Sequence, residues 1–319
     1  MHRRTLLAAP ALLAAPAFAQ GFPDRPVTMI VPYAPGGSAD VLARAIGPVM
    51  SEVLGQSVVI ELRPGAGGNI GAAYVANTAR ADGHTLLFAS ISLSTAPALQ
   101  NIPFDPVKEL VPVAGLGAIP SLLIVSPESP FRSVEDLLAA ARARPGEISY
   151  GSSGPATGSH LAGALLASEA RVEMTHVPYR GSGAVYPDLI AQRISFLLDV
   201  MGSSAPQAVA GAVRAIGISA TARAGAFPGV PTIAEQGLPG YEFLTWFGFF
   251  ARTGTPEAAR DKLEAALRHA IASPAVQERL AQASAVPLPQ DGQAFGTWYR
   301  EQVARWQGMV AQGKLARLD

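Results

Sequence analysis

The chain has 319 residues, of which 49% are hydrophobic and only 15% charged, and this composition and length predict a globular protein of about two domains. Basic and acidic residues both number 24, so the net charge is zero, which argues against a nucleic-acid-binding protein with its basic surface. Cysteine is absent, which excludes disulfides, thiolate metal sites, iron–sulfur clusters and cysteine nucleophiles.

The N-terminus has the pattern of an export signal, which we assign to residues 1–19. His2-Arg3-Arg4 is a short positive segment, Thr5 to Pro16 is apolar, and Ala17-Phe18-Ala19 is a small-x-small cleavage site. The apolar run is too short to span a membrane and contains two prolines, which disfavours an anchor. We therefore predict export by the Sec or twin-arginine route, and a soluble periplasmic protein with a net charge of −2.

Strand and helix patterns alternate along the rest of the chain, which predicts an α/β fold with a parallel or mixed sheet. Apolar, β-branched runs predict strands at 27–31, 57–62, 85–89, 122–125, 148–150, 175–179, 195–199 and 213–218. Periodic apolar positions predict helices at 41–53, 69–78, 137–143, 257–272, 274–283 and 294–310. They also predict one helix that begins near residue 160 and another that ends at residue 190.

One arrangement recurs four times: a strand, a loop rich in glycine and serine, and a helix. The loops are Pro35–Asp40, Gly65–Gly71, Gly151–Ser159 and Gly181–Gly183. Such loops lie at the carboxyl ends of strands, where α/β proteins bind ligands, and a helix start offers unpaired N–H groups and a partial positive charge. Each loop alone is compatible with an ordinary connection, but four facing one cleft would bind a carboxylate without any Arg or Lys.

The common catalytic and nucleotide motifs are missing. There is no phosphate loop, no nucleophile elbow and no His-Glu-x-x-His, and Ile70 stands where a dinucleotide fingerprint needs glycine. The five histidines are scattered, so we predict no metal site, no cofactor and no enzymatic activity. A periplasmic hydrolase, the least favoured alternative, would lose turnover on Ser153→Ala.

Two acids and an aromatic run leave their roles open. Asp40 lies in the first turn of a helix, where the helix dipole favours a negative charge, so a structural role is favoured. Asp199 ends an apolar strand, where a buried carboxylate needs partners: backbone N–H groups, a ligand amine or a bound water. A functional and a structural role are equally favoured for this residue. The run from Trp246 to Phe250 is more typical of core than of a binding pocket.

Segments spread along nearly the whole mature chain carry a family resemblance. They are 22–32 (Phe-Pro-Asp-Arg-Pro-Val-Thr-Met-Ile-Val-Pro), 35–40, 63–71 (Arg-Pro-Gly-Ala-Gly-Gly-Asn-Ile-Gly), 81–87, 151–154, 158–161, 177–181 (Val-Pro-Tyr-Arg-Gly), 228–235 and 237–242. In this order they resemble the Bug/TctC family, the periplasmic solute receptors of tripartite tricarboxylate transporters.

The resemblance implies a two-lobed type II periplasmic binding protein fold, in which each lobe is a mixed sheet flanked by helices. Lobe one would comprise residues 20–122 plus 240–319, and lobe two residues 123–239. A small carboxylate, which is a dicarboxylate, a citrate-like acid, an amino acid or an aromatic acid, would lie in the cleft between them. Backbone amides, hydroxyls and waters of the glycine loops would hold it.

The family's ligand residues transfer to this sequence position by position. The candidates are Tyr33, Gly37, Ser38, Asp40, Gly68, Asn69, Ser152, Ser153, Thr157, Ser159, His160, Gly181 and Asp199. One departure concerns the segment after Gly181, where the family often has Pro-Ala and this chain has Ser-Gly-Ala-Val. Ligand specificity at that wall is therefore open.

The resulting hypothesis is a monomeric, non-enzymatic receptor. It would close by hinge motion around its carboxylate and deliver it to integral-membrane transporter subunits. The alternative is a periplasmic sensor, in which the same closed lobes dock on a membrane signalling partner.

Overall fold

The computed structural model describes residues 21–313 and 315–317, so the export signal predicted at 1–19 lies outside the described residues. The strands are β1 (Val27–Val31), β2 (Val58–Leu62), β3 (Thr85–Ser90), β4 (Leu110–Val125), β5 (Ser149–Ser152), β6 (Thr175–Pro178), β7 (Phe196–Val200), β8 (Arg214–Ile218), β9 (Leu244–Arg252) and β10 (Val286–Pro287). The helices are α1 (Ser38–Leu54), α2 (Asn69–Ala73), α3 (Ser92–Leu99), α4 (Val134–Ala143), α5 (Gly158–Ala170), α6 (Tyr186–Ile190), α7 (Met201–Val209), α8 (Glu257–Ala272), α9 (Pro274–Gln282) and α10 (Gly292–Ala311).

The strands form one mixed sheet in the order β2-β1-β3-β9-β4-β7-β5-β6, with β8 and β10 paired to β4. Two sets of parallel strands, β1–β3 and β5–β7, lie on either side of the antiparallel pair β9 and β4. Each strand of the two sets is followed by a helix. The predicted α/β class with a mixed, helix-flanked sheet is confirmed.

The long strand β4 connects the two parallel sets. Up to Pro120 it pairs with β9, and from Ser121 onward it pairs with β7 and β8. Because β4 runs parallel to β1–β3 and antiparallel to β5–β7, the carboxyl ends of both sets face this change of partner from opposite sides. The chain returns to the first set at Leu244, which pairs with Pro120. The division into lobes at 122 and 240 stays a prediction.

Most predicted elements lie within two residues of the observed ones, but the strand expected at 122–125 is wrong in length. It begins at Leu110, because two bulges beside Val113 and Leu116 absorb residues that break the two-residue alternation. The sequence analysis also did not predict α3, α7 and β9. The first two helices contain a proline, and β9 alternates between two buried faces instead of a buried and an exposed one.

The two faces of β9 pack into separate hydrophobic layers. Trp246 and Phe250 contact the aromatic side chains of α10, including Phe295, whereas Phe247 and Phe249 pack against Phe88 on the opposite face. The aromatic run is therefore core, as predicted. One member, Phe247, also lines the cavity described below.

Removing one buried hydroxyl, that of Ser219, is expected to destabilise the junction of the two strand sets. Its Oγ accepts the N–H of Ser121 at 2.8 Å and donates to the carbonyl of Phe243 at 2.5 Å. Ser219→Ala leaves both backbone groups unpaired in the interior, so we expect about 2 kcal/mol less stability in chemical denaturation. Ser57→Ala, at an exposed serine, is the control and should change stability by less than about 0.5 kcal/mol. An equal effect of the two variants would contradict this account.

Candidate functional site

A cavity of about 520 Å³ lies between the carboxyl ends of the two parallel strand sets. Its wall includes residues that follow β1, β2, β5, β6 and β7 and the last residue of β3, and its floor includes Thr245 and Phe247 of β9. The register explains the location, because Ser90 at the end of β3 pairs with Phe247 and Val200 at the end of β7 pairs with Ser121. The four glycine loops recognised in the sequence all contribute to this single cavity.

The structure brings nine of the thirteen predicted ligand residues together in the cavity wall. They are Tyr33, Gly37, Ser38, Gly68, Ser153, Thr157, Ser159, Gly181 and Asp199. The phenol of Tyr33 accepts the N–H of Ser90 and shares a hydrogen bond with Ser92, so its ring is fixed in the wall. Burial raises the pKa of this phenol, which therefore stays neutral. Gly68 packs on the ring, where an added Cβ would lie 3.0 Å from Cε1.

Asp40 and Asn69 do not line the cavity, because both side chains serve the protein itself. The carboxylate of Asp40 accepts the N–H of Gly36 at 2.9 Å and pairs with Arg44 one turn along the helix, which holds the first glycine loop in place. The amide of Asn69 donates to Gln100 at 2.6 Å, on the outer side of the second loop.

Ser152 and His160 lie behind the third loop and not in the cavity wall. The hydroxyl of Ser152 is bonded to both N–H and C=O of Gly154 and shares a 2.6 Å hydrogen bond with Nε2 of His176. Nδ1 of His160 accepts the N–H of Ala156 at 3.1 Å, and its ring stacks on His176 with 3.8 Å between centroids. The pair thus supports the loop from behind.

Accepting the Ala156 N–H requires that His160 is unprotonated at Nδ1. Burial, together with the neighbouring His176, lowers the pKa of His160 to about 4. Burial also lowers the pKa of His176. Both rings are therefore neutral at pH 7, and the loop they support contributes Gly154, Pro155 and Thr157 to the cavity wall.

Two long helices, α1 and α5, begin at the cavity without a side-chain cap. Their N-cap residues, Gly37 and Thr157, form no capping hydrogen bond. Of the helices that do not line the cavity, α4 and α10 are capped by Ser133 and Asp291, whereas α8 and α9 begin without a side-chain cap. The first N–H groups of α1 and α5 have no partner within their helices and carry partial positive charge, so this geometry suits an anion.

Asp199 lies in the cavity wall as the centre of a hydroxyl cluster. Its carboxylate accepts hydrogen bonds from Ser182 and Tyr186 at 2.8 Å and from Ser203 at 2.7 Å. Burial raises the pKa of Asp199, and these hydroxyls together with the N–H of Val200 oppose that effect by stabilising the anion. The sequence analysis left a structural and a functional role open for Asp199, and the structure is compatible with both. The carboxylate is buried and hydrogen-bonded by protein donors, and it also lies in the wall of the cavity.

Glycines form the close contacts between the loops that face each other across the cavity. An added Cβ at Gly67 would lie 2.6 Å from the carbonyl oxygen of Pro155, one at Gly181 2.7 Å from Ala34, and one at Gly202 2.8 Å from Ser38. A Cβ at Gly158 would overlap Oγ1 of Thr245. The two strand sets therefore touch at positions where any larger residue would hold them apart.

The predicted ligand residues leave out several polar side chains of the wall, among them Ser90, Arg180, Ser203 and Thr245. The expectation of a wall without Arg or Lys needs correction at Arg180, which directly precedes the predicted Gly181. Ser203 follows Asp199 by only four residues, a spacing that a search around that acid would have found. Thr245 is brought in by the pairing of β9 with β4, for which the local sequence gives no signal.

Other kinds of site find no support in residues 21–313 and 315–317. Within these residues no three metal-ligating side chains cluster in a way that would hold a metal ion. No helix in the same part of the chain combines the length and apolar character needed to cross a membrane.

The sequence is similar to a known receptor family. A family model described as the tripartite tricarboxylate transporter family receptor matches residues 42–315. A UPF0065 protein from the tcbD-tcbE intergenic region of Pseudomonas sp. strain P51 is 42% identical over 296 residues, covering 92% of this chain and 88% of the relative. Protein BugT of Bordetella pertussis is 34% identical over 303 residues, covering 94% and 93%.

Solved structures share the fold along nearly the whole chain. The periplasmic binding protein BugD is 31% identical, with a TM-score of 0.87 and coverage of 93% of this chain and 100% of BugD. Rpa4515 of R. palustris, solved with adipate, has the same TM-score and coverage at 34% identity. MatC of Rhodopseudomonas palustris, solved with malate, is 32% identical with a TM-score of 0.85, covering 91% of this chain and 100% of MatC.

Proposed function

Because the chain belongs to the Bug/TctC family of tripartite tricarboxylate transporter receptors, we propose that it is an extracytoplasmic receptor that binds a small carboxylate and delivers it to integral-membrane transporter subunits. The observation that carries the proposal is the convergence of two uncapped helix starts, those of α1 and α5, on one cavity. The relatives solved with adipate and malate support a carboxylate as the ligand.

The binding mechanism follows from the polarity of the wall. The carboxylate would accept hydrogen bonds from the first N–H groups of α1 and α5, with the hydroxyls of Ser38 and Ser159 beside them. No catalytic step is part of this function, because the family is one of solute receptors. The nine wall residues among the thirteen predicted are proposed to contact ligand or bridging waters, and the other four to support the loops.

The proposed receptor is exported, and its two lobes close around the ligand. We assign residues 1–19 to a cleaved signal peptide and the mature chain to the periplasm, where it would act as a monomer. The strands β4 and β9 carry the chain between the two strand sets near Pro120 and Leu244, so they are the hinge about which the lobes would close.

Calorimetric titration tests the proposed function directly. The mature chain, freed of copurified solute by unfolding and refolding, is titrated with mono-, di- and tricarboxylates, amino acids and aromatic acids. We expect saturable binding of at least one acid and no hydrolysis of ester or amide substrates. Failure of every acid to bind at millimolar concentration would contradict the proposal.

Proline at the start of α1 is expected to weaken that binding roughly tenfold. Ser38→Pro removes one N–H donor at the first helical position, where proline fits, and one hydrogen bond to a charged group contributes about 1.5 kcal/mol. Ser38→Ala keeps the N–H and removes only the hydroxyl. Glu257→Pro, at the same position of α8 and outside the cavity wall, is the control for folding. Equal affinities of the proline and alanine variants would contradict a role for this N–H group.

A further inference from the structure

The carboxylate of Asp199 is buried in the cavity wall without a cationic partner. Its side chain is 2% exposed, and its three side-chain donors are the hydroxyls of Ser182, Tyr186 and Ser203. None of the ion pairs among residues 21–313 and 315–317 involves this acid. A negative charge that is held by neutral donors alone is sensitive to any further negative charge nearby.

The hydroxyl of Ser203 connects this acid to the start of α1. Its Oγ donates to Oδ2 of Asp199 at 2.7 Å and accepts the hydroxyl of Ser38, the first residue of α1, at 3.3 Å. A carboxylate bound at this helix start would therefore lie close to the carboxylate of Asp199. Two like charges at such a separation disfavour each other, and more strongly in a cavity than in water.

The hydroxyls around Asp199 suit a neutral carboxyl as well as an anion. Oγ of Ser203 also lies 3.0 Å from the carbonyl oxygen of Val200, which is a second acceptor for its proton. With the proton directed there, the lone pairs of Ser203 accept the O–H of a protonated Asp199, and no buried polar group loses its partner. Rotation of a single hydroxyl thus exchanges the two protonation states.

We propose that Asp199 is a proton-binding site linked to ligand binding: it is anionic in the free protein and takes up one proton from solvent when a carboxylate enters the cavity. The inference rests on the proposed receptor function and adds a second ligand, the proton. Because linkage is reciprocal, the affinity for the acid rises as the pH is lowered through the range in which the complex holds the proton and the free protein does not. Burial raises the pKa of Asp199, which moves this range toward neutral pH.

The other ionisable groups of the cavity wall keep their charge over this range. Burial raises the pKa of Tyr33, and burial together with Asp188 raises the pKa of Tyr179 to about 12, so both phenols are neutral. Burial and Asp199 itself also raise the pKa of Tyr186, which donates to the acid. The guanidinium of Arg180 is a permanent cation.

The two histidines behind the third loop would act with the opposite sign. Protonation of His160 removes the acceptor of the Ala156 N–H, and a charge on either His160 or His176 disfavours their stacking. Both effects disturb the loop that contributes to the cavity wall, so they weaken binding as the pH is lowered. The direction of the pH dependence therefore separates the histidines from Asp199.

Calorimetry of the unmodified mature protein counts the protons directly. The acid that binds most tightly in the panel titrated above is measured at about pH 6 in MES and in bis-Tris, buffers with different ionisation enthalpies, so that proton uptake appears as a difference in heat. We expect uptake of up to about one proton after correction for protonation of the acid itself. The affinity for the fully ionised acid should be about tenfold higher at about pH 5 than at about pH 8, as for a pKa raised by about one unit in the complex.

Asp199→Asn supplies a neutral side chain of the same shape and so imitates the protonated state. It should bind the acid about tenfold more tightly than the unmodified protein at about pH 8, take up no proton and lose the pH dependence. A merely structural acid would give weaker binding at every pH. Asp261→Asn, at an exposed acid of α8 outside the wall, makes the same change in net charge and should retain both the uptake and the pH dependence.

Difference infrared spectra provide a measurement that needs no variant. With the carboxyl groups of the acid isotope-labelled, a neutral carboxyl of the protein should appear on binding. Equal heats in the two buffers, proton uptake retained in Asp199→Asn, or weaker binding of this variant at about pH 8 would each overturn the inference and leave the receptor function intact. If no acid binds the unmodified protein, the proposed function itself fails.

Discussion

Acidification from pH 7 to pH 4 is expected to lower the free energy of unfolding by about 3 kcal/mol through one buried histidine, His160. Its pKa is about 4 in the folded protein, against 6.5 for an unperturbed histidine, because burial and the neighbouring His176 disfavour the charged ring. A protonated Nδ1 would also lose the N–H of Ala156 as a donor.

The sign of the effect follows from proton uptake. Above about pH 6.5 neither state binds the proton, so stability is independent of this group. Between about pH 6.5 and pH 4 the unfolded chain binds it and the folded protein does not, so stability falls as the pH is lowered. The titratable groups packed around the ring are His176, whose own pKa is lowered by burial, and Tyr150, whose phenol pKa is raised by burial.

Denaturation curves measured at several pH values with a matched pair of variants test this prediction. His160→Asn places an amide oxygen near the position of Nδ1, where it can accept the Ala156 N–H, but cannot titrate. It should therefore flatten the pH dependence while lowering stability at pH 7, since the stacking on His176 is lost. His269→Asn, the same substitution at an exposed histidine of α8, is the control. An unaltered slope in His160→Asn would rule out this histidine as its source.

The sequence predicts best where structure depends on neighbouring residues. The four glycine loops and the helix 257–272 are encoded by local turn chemistry and by helical periodicity, and the structure has each of them. The strand β4 was predicted only from Leu122 onward. Its first part gains its partners from β9, which lies more than 100 residues later, so no local signal specifies that pairing.

Prediction of the site residues from the sequence is likewise limited to what neighbouring residues specify. Gly37, Ser153 and Gly181 were identified because their loops are recognisable within a few residues, whereas Thr245 reaches the floor through long-range strand pairing. His160 follows the same loop as the wall residues, but its side chain does not line the cavity, because its ring accepts the N–H of Ala156 and stacks on His176. Sequence proximity to a glycine loop thus predicts involvement in the site but not the side on which a residue lies.

A side chain at Gly158 is expected to lower the affinity for the ligand, because it would prevent the close contact with Thr245 that brings the two strand sets together. A Cβ at Gly158 would overlap the hydroxyl of Thr245, a buried β-branched side chain with little freedom to move. Overpacking of this kind costs about 3 kcal/mol at the upper end of its range, and here the strain is relieved by separating α5 from β9. We therefore expect Gly158→Ala to weaken carboxylate binding roughly 100-fold.

A double-mutant cycle distinguishes this steric block from damage to the helix. Thr245→Ala removes the overlapping atoms, and its own cost is limited because its hydroxyl is buried without a hydrogen-bond partner among the described residues. If the contact governs closure, Gly158→Ala combined with Thr245→Ala should recover most of the affinity, giving a strongly non-additive cycle. X-ray scattering should show the single variant more extended than the double variant in saturating ligand. Additive losses, with no change in dimensions, would mean that closure of the cavity does not depend on this contact.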